Sequence, residues 1–545
     1  MAQIRVAMAQ TNPVVGAIST NIDDCFAQVK LAATAGAQIV VFGEMVVTGY
    51  PIEDLAQRPS FVAEAEAAVE ALAARLHEAG LGAIRVLIGH PAMAAEPNGW
   101  AIANNCASLL FEGTVIGRYA KHHLPNYSVF DEYRVFVPGN EAFHFDVDGT
   151  RFEVLICEDI WQTGGPVAAL KPAGVDVALV LNGSPFEVGK RETRTELVRS
   201  MAVANDCAVV YVNLVGGQDD LVFDGASLAV SSAGQVVAQL PGFETALNFV
   251  DVTGREISAP AGAVATMKDD LAEVWQALVL GLRDYVVKNG FKSVVLGLSG
   301  GIDSAVCAAI GADAIGADRV FGVSLPSKYS SDHSKSDAFD LAERIGVPIR
   351  TEAIANIVDV AETQLKLEGL AAENLQARVR GLILMALSNA EGHLTLTTGN
   401  KTELSVGYST IYGDSVGGYA PIKDVPKTMV WDLARWRNAQ SPDNPPIPEN
   451  SISKPPSAEL RPGQVDQDSL PEYDLLDAIL ELYIDERRGV AEIVASGFEL
   501  ATVERVVGLV DRAEWKRRQG AIGPKITGMA FGRDRRLPIT NAYRR

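Results

Sequence analysis

Apolar and polar positions change their rhythm along this chain, and the change splits it into two differently organised halves. In the first, short apolar runs at residues 4–10, 38–44, 85–90, 107–111, 115–120, 152–157, 177–182 and 209–214 predict strands. Helical periodicity separates several of them, at 19–35, 60–79 and 189–205. Residues 223–240 read as a hairpin around Ser232-Ala-Gly234. Many strands with helices interspersed predict a layered α/β domain over residues 1–251, a sheet sandwich flanked by helices. Residues 252–268, rich in Ala, Gly and Ser with Pro260, read as a linker.

Over residues 269–545 the pattern becomes a regular alternation. A helix at 271–288 leads to a strand at Val294 and an Ala-rich helix, then a strand at 320–325 and a helix at 334–345. A strand at 348–353, a helix at 375–389 and a strand at 394–397 follow. Such alternation predicts a doubly wound parallel sheet, with its ligand site at the carboxyl ends of the strands. Residues 438–471, proline-rich and poor in hydrophobics, read as a long surface loop ordered by a ligand or partner. Helices at 474–482, 491–496 and 501–513 precede a basic tail from Lys516, which holds nine Lys and Arg and reads as a phosphate-facing segment.

Composition narrows the classes. At 545 residues with 48% hydrophobic content, the chain can fill more than one core. A formal net charge of −21 argues against nucleic acid or an anionic membrane as the main partner. No apolar run is long enough for a membrane span, and the first residues lead straight into a strand pattern rather than a signal peptide. Five cysteines, at 25, 106, 157, 207 and 307, lack metal-ligand spacing and point to a reducing cytoplasm.

The first candidate chemistry is Gly297-Leu-Ser-Gly-Gly-Ile-Asp-Ser304, where an apolar strand stops at a Gly-rich turn and a helix begins. Inward-facing N–H groups and the helix dipole suit a phosphate there. The loop lacks the Lys of a Walker motif and is not GxGxxG. A tight turn without a ligand is the plain alternative, but the run Ser299–Ser304 is far more restrictive than a glycine pair.

The second constellation lies upstream. Glu44, Lys121 and Cys157 each stand at or just after a predicted strand end. Singly they are ordinary: a solvated Glu or Lys, a buried small Cys. Together they satisfy acyl transfer. A thiol attacks a carbonyl as thiolate, and a neighbouring Lys⁺ lowers its pKa. A carboxylate can carry the proton to a leaving amine, and the Lys can steady the oxyanion.

Phe42-Gly-Glu-Met with Thr48-Gly-Tyr-Pro51, Lys121-His-His-Leu-Pro-Asn-Tyr127 with Phe130-Asp-Glu132, and Cys157-Glu-Asp-Ile-Trp161 resemble the carbon–nitrogen hydrolase (nitrilase) superfamily. The resemblance implies an αββα sandwich and a Glu44–Lys121–Cys157 triad of base, oxyanion support and nucleophile, with Glu132 as an accessory carboxylate. Tyr127 and the run Leu181-Asn-Gly-Ser-Pro-Phe-Glu187 resemble the glutaminase members, which implies glutamine contacts at Tyr127, Ser184 and Lys190.

Ser299-Gly-Gly-Ile-Asp-Ser304 resembles the pyrophosphate loop of the ATP-pyrophosphatase superfamily, a grouping that also holds GMP, asparagine and argininosuccinate synthetases and tRNA thiolases. Asn374-Leu-Gln-Ala-Arg378, Thr397-Thr-Gly-Asn-Lys-Thr-Glu403, Gly407-Tyr-Ser-Thr-Ile-Tyr-Gly-Asp414 and Gly417-Gly-Tyr-Ala-Pro-Ile-Lys423 resemble the NAD synthetases among them. The resemblance implies ATP at Gly297, Leu298, Ser299, Gly300, Gly301, Ile302, Asp303, Ser304 and Thr398. It also implies deamido-NAD⁺ at Asn374, Glu403 and Lys516, and Mg²⁺ at Asp303 and Glu403. Thr398–Glu403 also reads as a helix cap, a role compatible with binding. Departures are local: Gly520-Ala-Ile-Gly-Pro524 replaces an expected Pro-Pro-Gly turn, and Ser405 and Ser415 replace an expected Ala and Met.

The two halves together imply an ATP-driven amidation fed by glutamine, with small-molecule substrates and a homo-oligomeric state. Ammonia protonates in water and then has no lone pair, so an internal passage from Cys157 to the Ser299 loop is expected, within one chain or completed by another subunit. Amidation of a different adenylated acceptor, or a non-catalytic sensor on the same scaffold, are the alternatives.

Overall fold

The computed structural model describes residues 2–542. It divides into two compact units, one running to Gln218 with Val222–Lys268, the other Asp219–Leu221 with Asp269 onward.

Among the described residues fifteen strands belong to the first unit, β11 reaching into it from Leu221: β1 (Ile4–Gln10), β2 (Ile39–Phe42), β3 (Arg85–Asn98), β4 (Ala101–Phe111), β5 (Thr114–Ala120), β6 (His144–Val147), β7 (Thr150–Ile156), β8 (Val177–Asn182), β9 (Ala208–Asn213), β10 (Val215–Gln218), β11 (Leu221–Asp224), β12 (Leu228–Val230), β13 (Val236–Gln239), β14 (Ala246–Thr253) and β15 (Glu256–Ser258). One sheet has the order β15-β14-β1-β2-β3-β4-β5, the other β13-β12-β9-β8-β7-β6. Successive side chains on a strand point to opposite faces, so a fully apolar strand can serve two cores. Val177, Leu179 and Leu181 join Val6, Met8, Val41 and Leu87 in the core between the sheets. Ala178 and Val180 face the other way, onto Val198 and Met201 of the helix Lys190–Asn205. The helix Pro59–Glu78 packs on β3, which gives the αββα layering.

Register brings the site residues to one edge. β7, β8 and β9 run parallel, with Ile156 beside Leu181 and Leu181 beside Val212, so Cys157, Gly183 and Asn213 emerge together. On the facing sheet, β2 pairs with β3, β3 with β4 and β4 with β5, with Pro91 opposite Asn105 and Cys106 opposite Ala120. That registers Glu44, Asn105 and Lys121 at a common end.

The second unit centres on β16 (Val294–Gly297), β17 (Val320–Ser324), β18 (Ile349–Thr351) and β19 (Leu394–Thr395). They form a parallel sheet of order β18-β17-β16-β19. Strand order reverses between β16 and β19, and the crevice beyond the carboxyl ends of such a pair is where ligands bind in doubly wound folds. Val295 and Val323 share a core with Val379 and Leu384 of the helix Leu370–Glu391, while Val320 lies against Gly311 of the helix Ile302–Ile315.

Three stretches differ from the sequence reading. Residues 252–268, read as a linker, hold the end of β14 and all of β15, because pairing of β14 with the distant β1 recruits a segment whose own composition is loop-like. Residues 438–471 are not a free surface loop: Ile447, Ile452 and Leu470 are buried, and Glu449–Ser453 is helical. The basic tail is partly paired within the fold. Arg517 and Arg518 pair with Glu514, and Lys525 pairs with Asp534.

A buried ion pair holds the loop after β8. Arg194 Nη1 lies 2.8 Å from Asp224 Oδ1 and also reaches the Ser184 carbonyl at 3.4 Å. Removing one member strands the other in the core. Asp224→Ala is expected to lower stability by about 3–5 kcal/mol, read as a fall in chemical-denaturation free energy. Adding Arg194→Met should recover much of the loss; no recovery would mean that the lost stability lies elsewhere.

Candidate active sites

Lys121 is completely shielded from water, and its ammonium is held by two carboxylates. Nζ lies 2.8 Å from Glu44 Oε1 and 2.9 Å from Glu132 Oε2. Asn105 Nδ2 donates to Glu44 Oε1 at 2.7 Å, and the Gly183 N–H donates to Glu44 Oε2 at 2.9 Å. Tyr50 OH donates to Glu132 Oε1 at 2.8 Å. Glycine is required where strands crowd this cluster: a Cβ on Gly89 would sit 2.4 Å from Met45 N, and one on Gly183 3.2 Å from Glu44 Oε2. Burial works to lower the pKa of Lys121, but Glu132 and Glu44 outweigh it and hold the ammonium well above its usual value. Burial pushes Glu132 up to about 7, against the pull of Lys121.

Cys157 follows β7 at φ 41°, in the left-handed region that non-glycine residues rarely occupy. Lys121 pulls its thiol pKa down, as the sequence predicts. Burial, joined by Glu44, pushes it up more strongly, and the net position is well above the free-thiol value. Burial and Glu44 thus favour the protonated thiol at Cys157.

The expected glutamine contacts sit unequally near this centre. Tyr127 OH donates to Glu158 Oε2 at 2.9 Å, beside Cys157 in the chain. Ser184 follows Gly183, its N–H on Asn213 Oδ1 at 2.9 Å. Lys190 opens a helix, with its backbone N–H on the Glu187 carbonyl at 3.0 Å.

In the second unit, Gly297–Ser304 forms the turn from β16 into the helix Ile302–Ile315. Leu298 N–H bonds the Val323 carbonyl, and Ser304 Oγ donates to the Gly301 carbonyl at 3.0 Å. Gly300 has φ 75°, and a Cβ there would lie 2.4 Å from the Ser334 carbonyl oxygen. Asp303, in the first turn, accepts from Asn400 Nδ2 at 2.9 Å and from Lys427 Nζ. Asn400 caps the short helix Lys401–Val406 through the Glu403 N–H at 2.9 Å, and Lys427 Nζ lies 3.6 Å from Glu403 Oε1. Burial and the nearby Asp303 push Glu403 up to about 8. These two carboxylates are hard oxygen donors of the kind Mg²⁺ takes, in small number, alongside nucleotide phosphates. Among the described residues no cluster of three or more His, Cys, Asp or Glu could hold a metal, so the fit rests on Asp303 and Glu403 alone.

Asn374 and Lys516 converge on the loop 407–414. Thr410 Oγ1 donates to Asn374 Oδ1 at 2.8 Å, and Lys516 Nζ donates to the Gly407 and Ser409 carbonyls at 2.8 and 2.7 Å. Thr398 is half-buried between β19 and the Asn400 cap. Sequence reasoning gave no role to Asn105, Tyr50, Gly183 or Lys427, while the helix cap it read at Thr398–Glu403 is made by Asn400. Lys427 lies four residues beyond the run Gly417–Lys423, and what it touches is set by tertiary structure alone.

A buried Cys–Glu–Lys centre on an αββα sandwich, and a Gly-rich loop at the switch point of a parallel sheet, define an amidase unit joined to a nucleotide-binding synthetase unit. The carbon-nitrogen hydrolase family model matches residues 5–260 and the NAD synthase model residues 274–520. The chain belongs to the glutamine-dependent NAD(+) synthetase family. It is 46% identical to the glutamine-dependent NAD(+) synthetase of Acinetobacter baylyi over 550 residues, which cover 100% of this chain and 99% of that one. It is 40% identical to that of Thermotoga maritima, covering 100% of both. A solved glutamine-dependent NAD+ synthetase from Acinetobacter baumannii, in complex with adenosine diphosphate, superposes with a TM-score of 0.79 at 43% identity, covering 99% of each chain. Among the described residues no helix is long and apolar enough to cross a membrane.

The raised Glu132 gives a pH signature. Protonation below about 7 removes one of the two counter-charges of Lys121. The kcat/KM for glutamine is expected to fall as pH drops through that value, and Glu132→Gln to be low and flat across it. An unchanged acid limb in the variant would assign the limb to another group.

Proposed function

We propose that the chain hydrolyses glutamine at Cys157 and spends the ammonia on an adenylated carboxylate at the Gly297–Ser304 loop. Glutamine-hydrolysing NAD(+) synthesis is the activity of its family, a carbon–nitrogen ligation that uses ATP, and the relatives' shared name does not favour another acceptor. The observation that carries our reading is the buried Lys121 ammonium held by Glu44 and Glu132 beside a high-pKa thiol.

In the first half-reaction the Cys157 thiol adds to the amide carbonyl of glutamine while Glu44 takes its proton. Lys121 steadies the oxyanion, and Glu44 returns the proton to the departing ammonia. Water then cleaves the thioester and releases glutamate. Tyr127, Ser184 and Lys190 hold the amino-acid end of the substrate in this reading.

In the second, the nicotinate carboxylate of deamido-NAD⁺ attacks the α-phosphorus of ATP, and pyrophosphate leaves into the loop Ser299–Ser304 and Thr398. Ammonia attacks the acyl-adenylate, and AMP departs. Asn374, Glu403 and Lys516 hold deamido-NAD⁺. Asp303 and Glu403 would hold Mg²⁺, which when bound neutralises charge on the phosphates. Lys427 places a further cation at the same carboxylates. A reducing cytoplasm fits five buried, free cysteines, and the proposed working form is a homo-oligomer.

Cys157→Ala tests the reading. Glutamate release and glutamine-driven NAD⁺ formation should fall by more than about 1,000-fold, while added ammonium still supports NAD⁺ formation. Glutaminase activity surviving in the variant would overturn the assignment. In the wild type, glutamine-driven yield should withstand an external ammonia scavenger; a large loss would sink the protected passage of ammonia.

A further inference from the structure

We propose that Asp159 is a positioning residue for the glutamine half-reaction. Its carboxylate bolts the turn that bears Cys157 to the strand end that bears Lys121. The proposal rests on Cys157 as nucleophile, and the controls below separate its failure from failure of that reading.

Asp159 is wholly buried, an unusual place for a carboxylate unless donors surround it. Four do. Oδ2 accepts the Ile156 N–H at 2.9 Å and Tyr119 OH at 2.7 Å. Oδ1 accepts the His122 N–H at 3.1 Å and the His123 N–H at 2.9 Å. The placement of these donors carries the inference. Ile156 immediately precedes Cys157. Tyr119 and His122 bracket Lys121, on β5 and just beyond it. A single side chain thus ties the residue before the nucleophile to residues on both sides of the ammonium, across two different sheets.

The backbone explains why a bolt is needed. Cys157 occupies φ 41°, and conformations of that kind persist where surrounding structure over-determines them. Charge-assisted bonds to a buried carboxylate are short and directional, which suits that task. A displacement of about 1 Å at a reacting group can cost about 100-fold in rate, so a bolt of this kind acts on kcat without touching the substrate.

Asn is the informative replacement. It keeps the size of Asp but turns one acceptor into a donor, which must face either the Ile156 N–H or the two His N–H groups. For Asp159→Asn we expect glutamine-driven kcat to fall about 100-fold. KM for glutamine should change by less than about threefold, because the loss is one of geometry at the reacting atoms rather than of substrate binding. Ammonium-driven NAD⁺ formation in the same sample should stay within about twofold of wild type, since it depends on the other unit. Tyr119→Phe removes one donor while leaving the charge, and should lower kcat by about three- to tenfold at unchanged KM; this milder variant keeps the test open if Asp159→Asn does not fold. Stoichiometric inactivation by an electrophilic glutamine analogue, with the adduct located on Cys157 by mass spectrometry, counts intact sites, so rates are expressed per site. Wild-type kcat per site in either folded variant, or a loss carried by KM alone, would overturn the proposal. Cys157→Ala retaining glutaminase activity would instead overturn the reading on which it rests.

Discussion

A lysine ammonium with no access to water demands counter-charge, and Lys121 obtains it from Glu44 and Glu132. The first unit depends on that demand. An unpaired buried ammonium would be strongly destabilising, so the two carboxylates must arrive within hydrogen-bond distance, one after β2 and one from the short helix Glu132–Arg134. Strand register brings Glu44 and Lys121 to one sheet end, and Asn105, Gly183 and Tyr50 complete the shell with fixed donors. The same charges set the thiol. Burial and Glu44 outweigh Lys121 at Cys157, which favours a thiol there over a standing thiolate.

The second unit solves a related problem at the switch point of its parallel sheet. Burial and the nearby Asp303 push Glu403 up to about 8, and Lys427 sits against both carboxylates. A site of this kind is poised for polyanions and cations together, since a phosphate can engage the lysine and a divalent ion the carboxylates. In each unit charged side chains from segments far apart in sequence converge near strand ends.

Much of this was legible in the chain. The strands 4–10 and 177–182 are read to the residue, because their apolar runs are continuous and bounded by polar or turn residues. The Gly-rich loop announces itself by an abrupt change from strand to helix pattern. What escaped the reading is non-local. Pro91 and Pro97 mask the long β3–β4 hairpin, which persists because its partner strand supplies the pairing. The stretch 252–268 looks like a linker by composition, yet β15 forms on β14 once β14 has paired with β1. Asn105, Tyr50 and Lys427 belong to the sites only through neighbours far away in sequence, so no spacing rule could have chosen them. The basic tail, whose Arg544 and Arg545 lie outside the described residues, has part of its charge paired internally. Nine cationic residues invite a phosphate, but Arg517, Arg518 and Lys525 have carboxylates of their own chain.

Burial, with Glu44 beside it, favours a protonated Cys157 in the free protein against the pull of Lys121. The direct test is the thiolate ultraviolet absorbance of the free protein, wild type minus Cys157→Ala, followed through neutral pH. We expect no thiolate step in the difference signal until well into the alkaline range. A thiolate already present at neutral pH would contradict it, and would make Lys121 rather than Glu44 the group that activates the nucleophile.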